Sequence, residues 1–149
     1  MDLEREGEKM PVEDNNHNLG EALMTVLANA TIMYHRAHGH HWNVTGPDFP
    51  EWHDKFAEIY DDVYGSLDPI AENLRKIRKV APFVLSDLES KATVSDTEVS
   101  GFDSRTLVQD LFRINVGVLS SLSAAFTAAT AANQQRSEEH TSELQSRFG

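Results

Sequence analysis

Apolar side chains recur every three or four positions from Leu19, at Leu19, Leu23, Val26/Leu27, Ala30, Tyr34 and Ala37, with His41 next in the series. That spacing marks one face of an amphipathic helix; Asn16 or Asn18 would cap it, and His41 falls on its buried stripe. Gly46, Pro47 and Pro50 interrupt the pattern between Asn43 and Pro50 and turn the chain. A second helix is predicted from near Pro50, because a proline is tolerated in a first turn whose N–H has no partner. Its stripe is Trp52, Phe56, Ile59/Tyr60, Val63, Leu67, Ile70, Leu74 and Ile77. Pro69 removes the hydrogen bond to the Gly65 carbonyl, so a kink is expected there. The periodicity continues past it, and a basic turn of Arg75, Lys76, Arg78 and Lys79 complements the negative end of the helix dipole.

Residues 80–103, with Pro82, Gly101 and many Ser and Thr, read as a connection with room for one short helix around Phe83 to Lys91. A third long helix starts at Asp103 or Ser104 as cap and carries Leu107, Leu111, Ile114, Val118, Leu122, Ala125 and Ala129 on one face. Phe112, Val116, Leu119 and Phe126 lie off that line. No stretch alternates as a strand does, so the fold class is all-α, a helical bundle. Three long helices leave part of this apolar surface wet, so either a fourth helix is missing or other subunits cover it.

Both ends differ from the middle. Residues 1–17 set six acidic side chains against two basic ones and read as a solvated, mobile tail. Residues 136–149, RSEEHTSELQSRFG, offer only Leu144 and Phe148 as sizeable apolar groups, too little for a core helix. This segment is similar to the in-frame translation of a sequencing-library adapter, and the native sequence is expected to stop near Gln135. The domain is therefore placed at 18–135.

The 149 residues suit one domain. A net charge of −11 argues against an obligate nucleic-acid binder, whose affinity for phosphates comes from Lys and Arg; it suits a soluble protein that attracts cations. The absence of cysteine excludes disulfides and thiolate metal sites and permits a reducing compartment. The N-terminus has no apolar signal region, and no apolar run approaches the roughly 18 residues of a membrane span. A cytoplasmic location and no membrane partner are expected.

Candidate chemistry concentrates between His35 and Glu72, which holds five of the seven histidines and both tryptophans. His41 and His53 flank a short loop, so a helix-turn-helix can bring their imidazoles together. Asp68 and Glu72 are four positions apart on one helix face. Two imidazoles with two carboxylates suit iron, manganese or zinc. His53 and Asp68 are, however, 15 positions apart, about 22 Å along a helix, whereas metal–ligand bonds are about 2.0 to 2.2 Å long. One chain cannot place both pairs on one ion. Two copies of the second helix packed antiparallel about a twofold axis can, with His41 and His53 of one copy facing Asp68 and Glu72 of the other. His35, His38 and His40 have no carboxylate to complete a site and read as surface histidines. No Glu-x-x-His pair of the intrachain di-iron kind is present.

HHWNVTGPDF, the His53 region and DPIAENL together resemble the Dps family, the DNA-protecting mini-ferritins of starved cells. The resemblance covers roughly Leu19 to Gln135. It implies a ferritin-like four-helix bundle with a short helix in the long connection, whose fourth long helix is truncated here. It also implies a hollow homo-oligomer, a dodecamer with the dimer as site-forming unit, and an inter-subunit ferroxidase centre where Fe(II) reacts with hydrogen peroxide and Fe(III) is stored, protecting against oxidative stress. By position, His41 and His53 match the family's histidine ligands, Asp68 and Glu72 the carboxylates from the partner subunit, and Trp42 an aromatic residue beside the centre. One position departs from the pattern. The acidic residue the family commonly carries four positions after the second histidine is Ala57 here, and Glu58 points about 100° away. Asp54 and Asp61 are the other carboxylates nearby.

Three functions follow for comparison. The first is the iron-oxidising store. The second is a non-catalytic structural or DNA-associated oligomer with a centre weakened by Ala57, although the acidic arm makes direct phosphate binding unfavourable. The third is a zinc-binding helical protein using His35, His38 and His40.

Overall fold

The computed structural model describes residues 12–148, with four helices: α1 (Val12–Asn43), α2 (Phe49–Lys76), α3 (Leu85–Lys91) and α4 (Ser104–Phe148). Three are long, as the periodicity predicts, and α3 is the short helix for which the connection left room around Phe83 to Lys91. The N-terminal boundary differs. α1 reaches back to Val12, so Asn16 and Asn18 lie inside it and cap nothing, and residues 12–17 are helical. Tertiary contact explains the extra turns: Asp14, Asn15 and Asn16 are half-buried, and the Asn15 amide donates to Gln135 of α4. The rest of the expected mobile tail, residues 1–11, lies outside the described residues.

Local chemistry sets the other boundaries. Pro50 sits in the first turn of α2 and Pro69 inside it, and the helix runs through Pro69 to Lys76. Beyond the helix Arg78 adopts the left-handed region (φ 64°), and Lys79 N–H returns to the Leu74 carbonyl at 3.0 Å. Asp103 caps α4 twice over. Its carboxylate accepts from the Thr106 N–H at 3.2 Å and from the Thr106 hydroxyl at 2.7 Å.

α1 is the central helix, packed against α2, α4 and, more briefly, α3. Its core contacts run along its length, from Leu27 and Ala28 with Leu74 and Leu88, through Ile32 and Met33 with Ile114, to Ala37, which with Val44 of the following loop packs against Phe56, Leu107 and Leu111. Within this apolar seam Asn29 is fully buried. Its amide oxygen accepts from Thr93 N–H at 2.9 Å and its nitrogen donates to Thr93 Oγ1 at 2.9 Å, which pins the connection to α1. Gly117 passes so close to the connection that an added Cβ would lie 2.1 Å from Val94 Cγ1.

The apolar surplus on the third long helix is on the surface. Phe112 and Phe126 are 70% and 75% exposed, with Val116, Leu119 and Leu122 also open. A groove of about 770 Å³ runs between α2 and α4, floored by Val26, Ala30 and Met33 of α1. Phe112, Leu119 and Leu122 line this groove, while Val116 and Phe126 are exposed outside it. An 18-residue window of α4 has mean hydropathy 1.4 and is 17% buried, so by length and composition alone this helix is apolar enough to cross a membrane, a test that core helices also pass. Its alanines and small residues raise the average without forming an unbroken apolar run. Residues 136–142 continue α4 as an exposed extension, so this segment is helical although it adds nothing to the core; the side chains of Leu144 and Phe148 lie outside the described residues.

Candidate metal centre

A short, pinned loop aligns the end of α1 with the start of α2. Val44 is buried, Thr45 N–H bonds to the Phe102 carbonyl at 2.9 Å, and Gly46 takes φ 115°, a conformation that favours glycine. This places His41 in the last turn of α1 opposite His53 in the first turns of α2. The two residues hold each other reciprocally: His41 Nδ1–H donates to the His53 carbonyl at 2.6 Å, and His53 Nδ1–H donates to the His41 carbonyl at 2.8 Å. The rings stack with centroids 3.7 Å apart and planes 20° from parallel. Because a carbonyl can only accept, each Nδ1 must carry the proton, and each Nε2 keeps its lone pair. That tautomer, fixed by a backbone carbonyl, is the one metal-ligating histidines use.

Aromatic rings surround the pair. Phe49 stacks on His53 with centroids 5.0 Å apart, and Tyr60 meets His41 edge-on at 5.3 Å. Tyr60 in turn stacks on His38 at 4.0 Å, and Trp42, 62% exposed, lies 4.4 Å from His38.

The carboxylates are elsewhere in the same chain. Asp68 and Glu72 are exposed on α2, which is continuous from Phe49 to Lys76. At about 1.5 Å per residue they begin roughly 22 Å from His53. The fold brings His41 and His53 together and leaves Asp68 and Glu72 apart from them. Among the described residues no three His, Asp or Glu side chains gather into a metal-binding group. Ala57 is half-buried on the histidine side of α2, and Glu58 faces Lys55 at 3.5 Å, exposed.

One polar cluster was not anticipated. His40, expected at the surface, is 6% exposed and donates from Nε2 to Asp110 Oδ2 at 2.7 Å. Arg36 grips the same carboxylate with two bonds of 2.8 Å and reaches Asp96 at 2.7 Å; Arg113 adds a bond to Asp110 at 3.1 Å. Burial pushes the Asp110 carboxyl up, but the bonds from Arg36 and His40, with the guanidinium charge, outweigh it and bring its pKa to about 2. Burial lowers the pKa of His40, more than its bond to Asp110 raises it, so this imidazole is neutral at pH 7 despite its short contact with a carboxylate. The bond to Asp110 raises Arg36 further above its ordinary value. The one signal in the sequence was Arg36 and His40 four positions apart, one helix face. The cluster ties α4 to α1 beside His41 and thereby fixes the end of α1 that carries it.

A family model of the ferritin-like domain matches residues 20–145. The DNA protection during starvation protein of Brevibacillus brevis is 28% identical over 109 residues, 73% of this chain and 72% of that protein. General stress protein 20U of Bacillus subtilis is 32% identical over 98 residues, 65% of this chain and 66% of that protein. The crystal structure of the Dps protein from Vibrio cholerae O1, described as a member of a broad superfamily of ferritin-like diiron-carboxylate proteins, superposes with a TM-score of 0.75 at 27% identity, covering 91% of this chain and 82% of that one. Dps from Bacillus brevis shares the fold, with a TM-score of 0.75 at 23% identity. With a family match over most of its length and the ferritin-like bundle of its structural neighbours, this chain belongs to the ferritin-like family, in its Dps branch.

Proposed function

We propose that this protein oxidises Fe(II) with hydrogen peroxide at a site shared by two copies of the chain and stores the Fe(III), protecting the cell from oxidative damage. The observation that carries the reading is the reciprocal locking of His41 and His53, which presents two Nε2 lone pairs side by side. Nothing in a helix-turn-helix requires two imidazoles to spend their Nδ1 protons on each other's backbone. Imidazoles bind Fe(II) readily, and carboxylates favour the harder, more highly charged Fe(III). Within one chain the histidines lack carboxylates and Asp68 and Glu72 lack nitrogen ligands. An antiparallel pairing of α2 about a twofold axis sets the partner subunit's Asp68 and Glu72 against His41 and His53 and completes two sites per dimer. Such a dimer is the repeating unit of a closed homo-oligomer, the dodecamer that the family resemblance implies, in the cytoplasm. Phe49 flanks the site through its stack on His53.

Ala57 favours a second reading, an oligomer in which the weakened centre is structural and protection comes from mass association with DNA. The acidic charge disfavours direct phosphate contact. Fe(II) oxidation by stoichiometric peroxide, followed optically, separates the two. The iron-oxidising reading expects a rate that falls by at least about tenfold in His41→Ala/His53→Ala, in line with losses on disturbing metal ligation. An unchanged rate refutes it.

A further inference from the structure

The end of α2 carries four cations in five positions, Arg75, Lys76, Arg78 and Lys79, in a chain whose net charge is −11. Among the described residues none of the four takes part in an ion pair. The helix dipole accounts for Arg75 and Lys76 in the last turn, and Arg75 also donates to the Lys79 carbonyl at 3.1 Å. It does not account for Arg78. The helix closes with two returning bonds of 3.0 Å, Arg78 N–H to the Arg75 carbonyl and Lys79 N–H to the Leu74 carbonyl. That closure puts the residue after the cap in the left-handed conformation, and Arg78 adopts it at φ 64°. Glycine takes this conformation freely, whereas a side chain meets a steric cost. Local stability would place a glycine here, so the guanidinium calls for another reason.

Arg78 and Lys79 line a cavity of about 420 Å³ between the end of α2 and the first turns of α1, with Asp14, Asn16, His17 and Ile77 as its other walls. The stem of Lys79 is laid along α1 at buried Gly20, where an added Cβ would stand 3.2 Å from Lys79 Cγ and 3.6 Å from Cε. Asn16 adds an amide donor and His17 an imidazole. Two cations with neutral donors suit an anion, and Asp14 decides which one. Its carboxylate can only accept, so it repels an anion without a proton and takes a hydrogen bond from one that carries an O–H. Inorganic phosphate keeps at least one P–O–H at neutral pH. Sulfate and the phosphodiesters of nucleic acid keep none.

We propose that this cavity binds inorganic hydrogen phosphate, with Arg78 and Lys79 on its charged oxygens and Asp14 accepting from its hydroxyl. A guanidinium spans two phosphate oxygens at once, which an ammonium does not. A water takes about 30 Å³ in the liquid, so the cavity admits the ion together with part of its hydration. The site is remote from the histidine pair: His17 and His41 are 24 positions apart on α1, about 36 Å of helix. Phosphate binding therefore requires no metal at His41 and His53.

The test titrates phosphate at pH 7 into the full chain, stripped of metal by a chelator, in a calorimeter, with sulfate and a short DNA duplex in parallel and a thermal melt of each variant. The unsubstituted chain should bind phosphate at least tenfold more tightly than sulfate, and the duplex should not displace it. Arg78→Gly should lose phosphate affinity by tenfold or more while melting at or above the parent temperature, a combination that damage to the fold cannot produce. Asp14→Asn should bind sulfate as well as it binds phosphate. No phosphate binding, equal affinity for sulfate in the unsubstituted chain, or unchanged affinity in Arg78→Gly overturns the proposal. So does an Arg78→Gly variant that melts lower, which would show the arginine serving the fold. Displacement of phosphate by the duplex also overturns it and marks the turn as a nucleic-acid surface.

Discussion

A site divided between two chains makes a quantitative prediction for mixed variants. Take one variant with His41→Ala/His53→Ala and a second with Asp68→Ala/Glu72→Ala. The second should fold normally, since both carboxylates are exposed and none of their side chains takes part in a hydrogen bond or ion pair among the described residues. Each pure variant has no complete site. In a mixed dimer, one site receives the histidines of one chain and the carboxylates of the other, both intact, while the second site receives neither. Equal amounts associating at random give half mixed dimers, and so about a quarter of the native sites, or one site per dimer when the mixed species is purified by two tags. The geometric basis is the roughly 22 Å of unbroken helix between His53 and Asp68, about ten times a metal–ligand bond. Anaerobic Fe(II) titration calorimetry of the purified mixed dimer counts the sites. A mixed dimer with no site, or a carboxylate variant that binds Fe(II) as well as the unsubstituted chain, refutes the division.

Three further outcomes concern the scaffold behind the site. Asp110→Asn keeps shape but leaves the guanidinium of Arg36, 9% exposed, without its main carboxylate, so urea denaturation should show a loss of about 3 to 5 kcal/mol with an unchanged slope. The same carboxyl gives the native protein an acid limb. Its folded pKa of about 2 lies below the unfolded value of 3.8, so the stability it contributes is present above pH 4 and is lost as pH falls from there through 2, on the order of 2 kcal/mol; acid titration of Asp110→Asn should lack that limb. Gly117→Ala should destabilise by about 1 to 2 kcal/mol in thermal melts, although alanine is the better helix former, because the stiff Val94 side chain stands 2.1 Å from the new Cβ; a variant more stable than the parent would show that the connection moves freely.

The periodicity of apolar positions was enough to place three long helices, because a helix face repeats at fixed spacing wherever it packs, and the connection left room for the short one. Proline and glycine chemistry located the turn between Asn43 and Pro50, within which the loop spans 44–48, and helix arithmetic alone separated His41 and His53 from Asp68 and Glu72. The sequence therefore determined that any site using all four must join two chains. Tertiary structure decided what periodicity cannot encode. Contact with α4 extended α1 back to Val12, where local propensity favoured a tail. His40 moved from an expected surface position into a buried cluster because Asp110 and Arg36, 70 and 4 positions away from it, meet it there. The imidazole tautomers of the histidine pair depend on two backbone carbonyls whose positions only the pinned loop fixes, and Tyr60 meets His41 only because α1 and α2 pack against each other.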